Sequence, residues 1–177
     1  IISGGNFHGQ YVAMAMDFLA IAVAELASIS EQRIEKLMNP SFSKLPAFLT
    51  PSPGLNSGLM IVQVTAAALV SENKGLCHPA CVDSIPNQAD KEDHVSMGAW
   101  GARKARQVVR NSEIVLALEL LSASQGIYLL RPLRSTRVLE KILKLFQAKI
   151  PYIREDREFS PDIQEAIQCV REVLPSL

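Results

Sequence analysis

The sequence has 177 residues, with 18 basic and 18 acidic side chains that give a formal net charge of zero. A neutral chain lacks the basic excess typical of proteins that bind nucleic acid, so that class of partner is not expected. Apolar residues make up 48% of the sequence, a share that fits a globular domain rich in buried surface. This length is enough for one domain with its own core.

Cysteine usage indicates reduced thiols rather than disulfides. The three cysteines, Cys77, Cys81 and Cys169, are irregularly spaced, whereas a disulfide framework has an even number. Free thiols are typical of the cytoplasm, which is the expected location. Cys77, His78 and Cys81 place soft ligands close together, but a structural zinc site needs a fourth ligand, so no metal site is predicted.

A glycine-rich segment, Ser3-Gly4-Gly5-Asn6-Phe7-His8-Gly9, comes first along the chain. Glycines adopt backbone angles that other residues resist, and they let a ligand approach the main chain closely. The segment is therefore either a plain loop before a helix or a turn that presents an aromatic ring and an imidazole to a ligand.

A long helix is predicted for residues 11–38, and Asn39-Pro40 ends it. Its first part is apolar on almost every side, as in helices buried in a large core or a membrane. Two carboxylates within it, Asp17 and Glu25, make a membrane location costly. Small side chains suit close contact with another helix instead: Ala13, Ala20, Ala24 and Ala27.

The next segment, residues 40–56, is rich in proline and is predicted to be an ordered loop with apolar anchors. The expected anchors are Leu45, Phe48 and Leu49. A second buried helix is predicted for residues 57–73, with Asn56-Ser57 supplying its N-cap.

Chemically capable side chains are densest between residues 82 and 98, namely Asp83, Asp90, Lys91, Glu92, Asp93 and His94. Pro86 disfavours helix at the residue before it, so a helix is expected after it, with Asp90 and His94 on one face. A long helix is then predicted from about residue 92 to residue 130. If so, the charged cluster lies in solvent at the N-terminal end of this helix, and Asp93 and His94 are expected to fix the helix start. In the first half of this helix, the outer side is expected to be basic, with Arg103, Lys104, Arg106 and Arg110.

Two shorter helices are predicted at the C-terminal end. Ser135-Thr136 can cap a helix to about residue 149, where Pro151 stops it. Ser160-Pro161-Asp162 combines a cap, a proline and a first-turn acid, and it predicts a last helix to about Leu174. No segment alternates as a strand does, so the predicted fold class is all-α, with long buried helices followed by shorter C-terminal helices.

Several strings of the sequence resemble, in the same order, motifs of the aromatic amino-acid ammonia-lyase family, above all its histidine-specific members. They are Gly-Asn-Phe-His-Gly at 5–9, Leu-Asn-Ser-Gly-Leu-Met-Ile at 55–61, Ser-Glu-Asn-Lys at 71–74, Val-Asp-Ser-Ile-Pro at 82–86 and Glu-Asp-His-Val-Ser-Met-Gly at 92–98. The chain departs from the family at Asn87-Gln88-Ala89-Asp90-Lys91, where Thr-Ser-Ala-Asn-Gln is usual, and at Gln10-Tyr11, where Glu-Pro is common. The resemblance extends along the whole chain and is to the C-terminal part of the family.

The resemblance implies an ammonia-lyase-type helical bundle, a homotetramer with a shared central bundle, and elimination of ammonia from L-histidine to give urocanate in histidine degradation. The family's electrophile is a methylidene-imidazolone formed from an Ala-Ser-Gly tripeptide. Here Ala27-Ser28 is followed by Ile29, and Ala123-Ser124 by Gln125. Residues 1–177 are therefore expected to be a single C-terminal helical portion that follows the electrophile-forming portion and is inactive alone.

The resemblance also assigns site residues. Glu92 matches the acid that the histidine enzymes place near the substrate imidazole, where a carboxylate can bind the ring or handle a proton. Phe7 matches an aromatic residue near the electrophile and the substrate. His8 and Lys91 are weaker candidates: His8 is expected to be structural, and Lys91 to favour the ionised form of Glu92.

Two alternatives remain open from the sequence. One keeps the family but changes the substrate, to a tyrosine or phenylalanine ammonia-lyase or an aminomutase; Gln is common at the position of Glu92 in the tyrosine and phenylalanine lyases, whereas some aminomutases keep Glu. The other is a noncatalytic helical interaction or membrane bundle, suggested by the apolar stretches 11–29, 57–71 and 114–130. The internal acids and the motif strings count against the second alternative.

Overall fold

A computed structural model describes residues 1–2 and 4–173 of the chain. These residues form six α-helices, which are α1 Gln10–Met38, α2 Pro40–Ser43, α3 Met60–Leu76, α4 Gly98–Leu129, α5 Arg137–Lys149 and α6 Ser160–Gln168. A 3-10 turn spans Ala47–Leu49, and a π-helical turn spans Cys169–Val173. Only isolated β-bridges occur among the described residues, which confirms the all-α prediction. Ser3 and Leu174, which belong to the predicted first motif and last helix, lie outside the described residues.

The fold is built on the long pair α1 and α4, which pack against each other along their length. Small side chains allow the close approach: Ala13, Ala20 and Ala27 are at most 1% exposed. On α4, a side-chain Cβ at Gly101 would lie 3.7 Å from the carbonyl oxygen of Ala13. The predicted alanine face of α1 is thereby confirmed as a helix-contact face.

Helix α3 packs on both long helices, and the three share one apolar core. Fully buried members from these helices and the preceding loop include Ile34, Leu49, Leu59, Val62, Val115 and Leu118. Buried amides join α3 to α4, because Asn111 Nδ2 donates to Asn73 Oδ1 at 2.9 Å. The core therefore fixes the relative positions of the helices that flank the glycine-rich segment and residues 82–97.

The described residues cover helix α1 on its alanine side and leave its opposite side exposed. Little of the described part of the chain covers the face opposite the alanines, and five of its apolar side chains are at least 44% exposed. We call this set the α1 open face: Val12, Phe18, Leu19, Leu26 and Ile29. By length and composition α1 is also apolar enough to cross a membrane.

Helix α3 begins at Met60 rather than at the predicted residue 57. Gly58 has a φ of +56°, and a Cβ there would lie 2.5 Å from a backbone carbonyl oxygen, so the chain is not helical at this point. The Asp156 carboxylate accepts the N–H groups of Ser57 and Gly58 at 2.7 and 2.9 Å. The side chain of Asn56 accepts from Asp156 N instead of capping α3.

Other local predictions had mixed outcomes. Leu45 and Leu49 are buried anchors of the 40–56 loop as predicted, but Phe48 is 40% exposed and has a φ of +54°. Thr136 caps α5 as predicted, since its Oγ1 accepts from Leu139 N at 3.4 Å. In α6, Ser160 is the first helical residue rather than the cap.

Candidate functional site

The glycine-rich segment turns tightly into α1. Gly9 has a φ of +68°, in the left-handed region that favours glycine, and its N–H donates to the carbonyl oxygen of Asn6 at 3.1 Å. The turn leaves Phe7 82% exposed while His8 is half-buried. The two rings make an edge-to-face contact with their centroids 5.1 Å apart. The segment therefore presents the aromatic ring of Phe7, with an imidazole packed beside it.

The second motif-bearing segment is a loop, so the predicted helix start near residue 92 is wrong. Helix α4 begins only at Gly98. Before it, Gln88, Ala89 and Asp90 have φ values of 53°, 54° and 63°, and left-handed residues in succession cannot continue a right-handed helix. The backbones of Asn87 and Glu92 close this loop with two hydrogen bonds of 3.1 and 3.4 Å.

This loop also corrects two dependent interpretations. Asp90 and His94 share no helix face, because both precede α4. For the same reason Asp93 and His94 do not fix the start of a helix; both side chains are exposed in the loop. The acidic cluster is therefore the rim of a loop and not a charged helix entry.

The two motif-bearing segments meet at the N-terminus of α1. Ser96 Oγ donates a hydrogen bond to the carbonyl oxygen of His8. On the loop side, Val95 N donates to Ser84 Oγ at 3.0 Å and closes the loop across its base. These contacts fix the end of the 82–97 loop against the turn that carries Phe7.

The structure brings together three of the four predicted site residues. His8 Nε2 lies 3.9 Å from Glu92 Oε1, and both side chains are 25% exposed. Phe7 contacts the imidazole of His8 from another side. Lys91 is exposed and, in the described part of the chain, makes no ion pair with Glu92. His8 thus contacts the exposed aromatic ring of Phe7 and lies near the partly exposed carboxylate of Glu92.

A buried ion pair that the sequence did not predict supports this arrangement. Lys104 Nζ lies 3.6 Å from Asp17 Oδ1, and both side chains are 5% exposed. Asp17 Oδ2 accepts from Cys81 N at 2.7 Å, and Lys104 donates to the carbonyl oxygen of His78. The pair therefore ties the 77–81 loop, which leads into the 82–97 loop, to both long helices.

The expectation that Lys104 lies on the outside of α4 is wrong. Burial alone would raise the pKa of Asp17, but the N–H of Cys81 and the charge of Lys104 outweigh it and hold that pKa below its usual value. The signal that could have revealed the pair was Asp17 itself, because a carboxylate within an apolar helix needs a buried partner. Nothing in the sequence distinguished Lys104 from its basic neighbours as that partner.

The two cysteines near this pair, Cys77 and Cys81, are free thiols. Burial raises the pKa of the Cys77 thiol. A hydrogen bond to the Asp17 carboxylate raises the pKa of Cys81. Across the described residues, no cluster of three or more His, Cys, Asp or Glu side chains has an arrangement suited to a metal ion.

Comparison with known proteins places this geometry in context. The family model described as aromatic amino acid lyase matches residues 1–148. A curated histidine ammonia-lyase from Caenorhabditis elegans is 58% identical over 183 residues, covering 100% of this chain and 27% of the relative. The crystal structure of histidine ammonia-lyase from Trypanosoma cruzi superposes with a TM-score of 0.93 at 57% identity, covering 96% of this chain and 34% of that one.

A structure of tyrosine aminomutase from Streptomyces globisporus also superposes, with a TM-score of 0.89 at 36% identity, covering 94% of this chain and 32% of that chain. The chain thus spans 27% to 34% of the length of these relatives. Full coverage by the nematode relative includes both loops, with Phe7 and Glu92, as well as the helices. The matches therefore favour the lyase interpretation over a noncatalytic bundle.

Proposed function

Because this chain belongs to the aromatic amino acid lyase family, we propose that it is part of a histidine ammonia-lyase, which eliminates ammonia from L-histidine to give urocanate. The observation that carries the proposal is the Glu92 carboxylate, half-open and held beside the turn that presents Phe7. The higher identity to the histidine enzymes, 57% and 58%, than to the tyrosine aminomutase, 36%, supports histidine as the substrate.

In this proposal Glu92 recognises the substrate ring. An imidazole carries an N–H donor, and a carboxylate is the acceptor that pairs with it most strongly because the hydrogen bond is charge-assisted. The same carboxylate can accept or return a proton during the elimination. A phenyl ring offers a carboxylate at this position no hydrogen-bond donor, which is why Glu92 favours histidine over phenylalanine.

Phe7 has the complementary role of an apolar contact. Its ring is 82% exposed, so nothing in the described chain covers it, and it offers a flat surface to a ligand or to a planar group from another segment. The family's methylidene-imidazolone supplies the electrophile that makes loss of ammonia possible. These 177 residues contain no Ala-Ser-Gly, so we propose that the group comes from outside them and that Phe7 would form part of the surface that holds it.

The first prediction concerns activity. The full-length enzyme should form urocanate from histidine in preference to eliminating ammonia from tyrosine or phenylalanine, whereas the 177-residue chain by itself should not. The physical reason is that Glu92 and Phe7 can bind a substrate but supply no electrophile. Urocanate absorbs in the near ultraviolet, so its formation can be followed directly. Turnover of histidine by the purified chain, free of any longer subunit, would refute this division of the site.

We further propose that residues 1–177 form one C-terminal helical portion of a cytoplasmic homotetramer, in which the α1 open face lies in the shared central bundle. The face carries five apolar side chains along one side of α1, and a cleft of about 600 Å³ continues it at Leu37 and Phe42. Exposed apolar area of this extent normally marks a protein interface. The buried ion pair of Asp17 on the opposite face favours a protein partner over a bilayer.

The second prediction is that the chain associates through this face. Light scattering should show particles larger than a monomer, because water is otherwise in contact with the whole open face. The double change Phe18→Gln and Leu26→Gln should reduce the particle mass. Val138→Gln on α5 is the matched control, since Val138 is also exposed, at 69%, but lies off the face. A monodisperse monomer of the unchanged chain, or equal effects of the two variants, would contradict the assignment.

A further inference from the structure

We propose that His8 is a positioning residue that orients the Glu92 carboxylate toward the substrate. The inference rests on the proposed function of Glu92 and adds a residue that acts through it. Its basis is one juxtaposition: the imidazole of His8 lies between the two site residues, in edge-to-face contact with Phe7 and 3.9 Å from Glu92.

The backbone of His8 is held at its C-terminal end by two features. Gly9 occupies the left-handed region and leads directly into α1. The carbonyl oxygen of His8 accepts a hydrogen bond from Ser96 of the 82–97 loop. The imidazole therefore belongs to the residue at which the glycine-rich turn and the 82–97 loop are hydrogen-bonded to each other. A side chain at this residue can fix the position of Glu92 relative to the turn.

The imidazole itself has little freedom. Its side chain is 25% exposed, and its ring stands at 84° to the ring of Phe7. Edge-to-face contacts of aromatic rings prefer this geometry, so a rotation of the imidazole would lose the contact. Phe7 contacts the ring, and Nε2 is the imidazole nitrogen that lies 3.9 Å from Glu92 Oε1.

Glu92 needs such a partner because its side chain is long and rotatable. Fixing a glutamate side chain costs conformational entropy, which a neighbouring charge or donor offsets. Among the Lys, Arg and His side chains of the described residues, His8 is the one with a nitrogen within 4.0 Å of this carboxylate. In the proposal, His8 approaches Oε1 of Glu92 and the substrate binds the same carboxylate. A separation of 3.9 Å is too long for a hydrogen bond, but such contacts often shorten when a substrate binds.

A double-mutant cycle in the full-length enzyme tests the inference. His8→Leu removes the nitrogen donor, and it should lower kcat for histidine by roughly 10-fold to 100-fold, as misplaced catalytic groups do. His8→Gln keeps a donor at similar reach and should retain activity within about threefold of the unchanged enzyme. His94→Leu is the matched control. His94 is exposed in the 82–97 loop that also carries Glu92, and its replacement should leave kcat unchanged.

The discriminating measurement is His8→Leu combined with Glu92→Gln. If His8 acts through Glu92, the loss that His8→Leu adds to an enzyme already carrying Glu92→Gln should be about twofold or less, whereas independent effects would multiply. Full multiplication, or equal losses for His8→Leu and His8→Gln with unchanged melting temperature, would overturn the positioning role. Unfolding of His8→Leu together with low activity of a folded His8→Gln would also overturn it. If Glu92→Gln alone leaves turnover intact, the proposed function of Glu92 fails instead.

Discussion

Replacing Glu92 with Gln in the full-length enzyme is expected to lower the turnover of histidine by roughly 10²–10⁴-fold, the range typical of general acid–base groups. Glutamine keeps the size of the side chain but loses the charge and the ability to take a proton. The change lies in a loop, before the start of α4, and the side chain is 25% exposed, so the melting temperature should move little. Initial rates of urocanate formation give the measurement.

Asp93→Asn is the matched control for this change. Asp93 is adjacent and exposed, it carries the same charge, and the proposal gives it no contact with substrate. It should therefore have little effect on turnover. Gln is common at the position of Glu92 in the tyrosine and phenylalanine enzymes. The Glu92→Gln variant should therefore lose more activity toward histidine than toward tyrosine or phenylalanine. Small and equal effects of the two substitutions on histidine would mean that Glu92 is an ordinary loop acid.

Replacing Lys104 with Met is expected to lower the free energy of unfolding by about 3–5 kcal/mol, because it leaves the Asp17 carboxylate buried without its cation. Both side chains of the pair are 5% exposed, so water cannot replace the lost partner without opening the contact between the helices. Denaturant unfolding followed by circular dichroism measures the loss. The 77–81 loop should also become easier to cleave, since Lys104 no longer holds the carbonyl oxygen of His78.

Two controls separate the buried charge from the loss of a lysine. Lys149→Met breaks an ion pair with Glu165 whose side chains are 40% and 32% exposed, and it should cost far less stability. Asp17→Asn added to Lys104→Met should recover part of the loss, because no uncompensated charge then remains buried. A loss from Lys104→Met no larger than that from Lys149→Met would show that the Asp17–Lys104 pair contributes nothing specific.

The pair also implies a direction for the dependence of stability on pH. The pKa of Asp17 in the folded chain is lowered from its ordinary value of 3.8. A carboxyl whose pKa is lowered by folding stabilises the fold at pH values above its pKa in the unfolded chain. This contribution is lost as the pH falls through its pKa in the folded chain. The Asp17 contribution should therefore be complete near neutral pH and disappear in acid below about pH 4, and Asp17→Asn should remove it.

Helix ends with a local chemical cause were predictable from the sequence. Asn39-Pro40 ends α1 as expected, and the hydroxyl of Thr136 caps α5. The start of α4 was not predictable in this way, because the preceding loop is closed by left-handed angles at Gln88, Ala89 and Asp90, none of which is glycine. All three are exposed, and the sequence offers no glycine that would signal left-handed angles at this point.

Some features of the site were predictable from the sequence and others were not. Phe7 and Glu92 could be assigned from motif resemblance, and the structure places both beside His8. The contact between His8 and Glu92 could not be foreseen, since it joins segments that only the pairing of α1 and α4 brings together. Buried polar groups were equally invisible: Gln125 lies in an apolar helix yet binds the backbone of residues 49 and 153.

The measurement that tests the central claim most directly is a crystal structure of the full-length enzyme with a bound, unreactive histidine analogue. The account predicts that the Glu92 carboxylate lies within hydrogen-bonding distance of an imidazole nitrogen of the analogue, roughly 2.6–3.2 Å, and that the ring of Phe7 faces the bound ligand. A ligand bound elsewhere, with Glu92 turned to solvent, would contradict it.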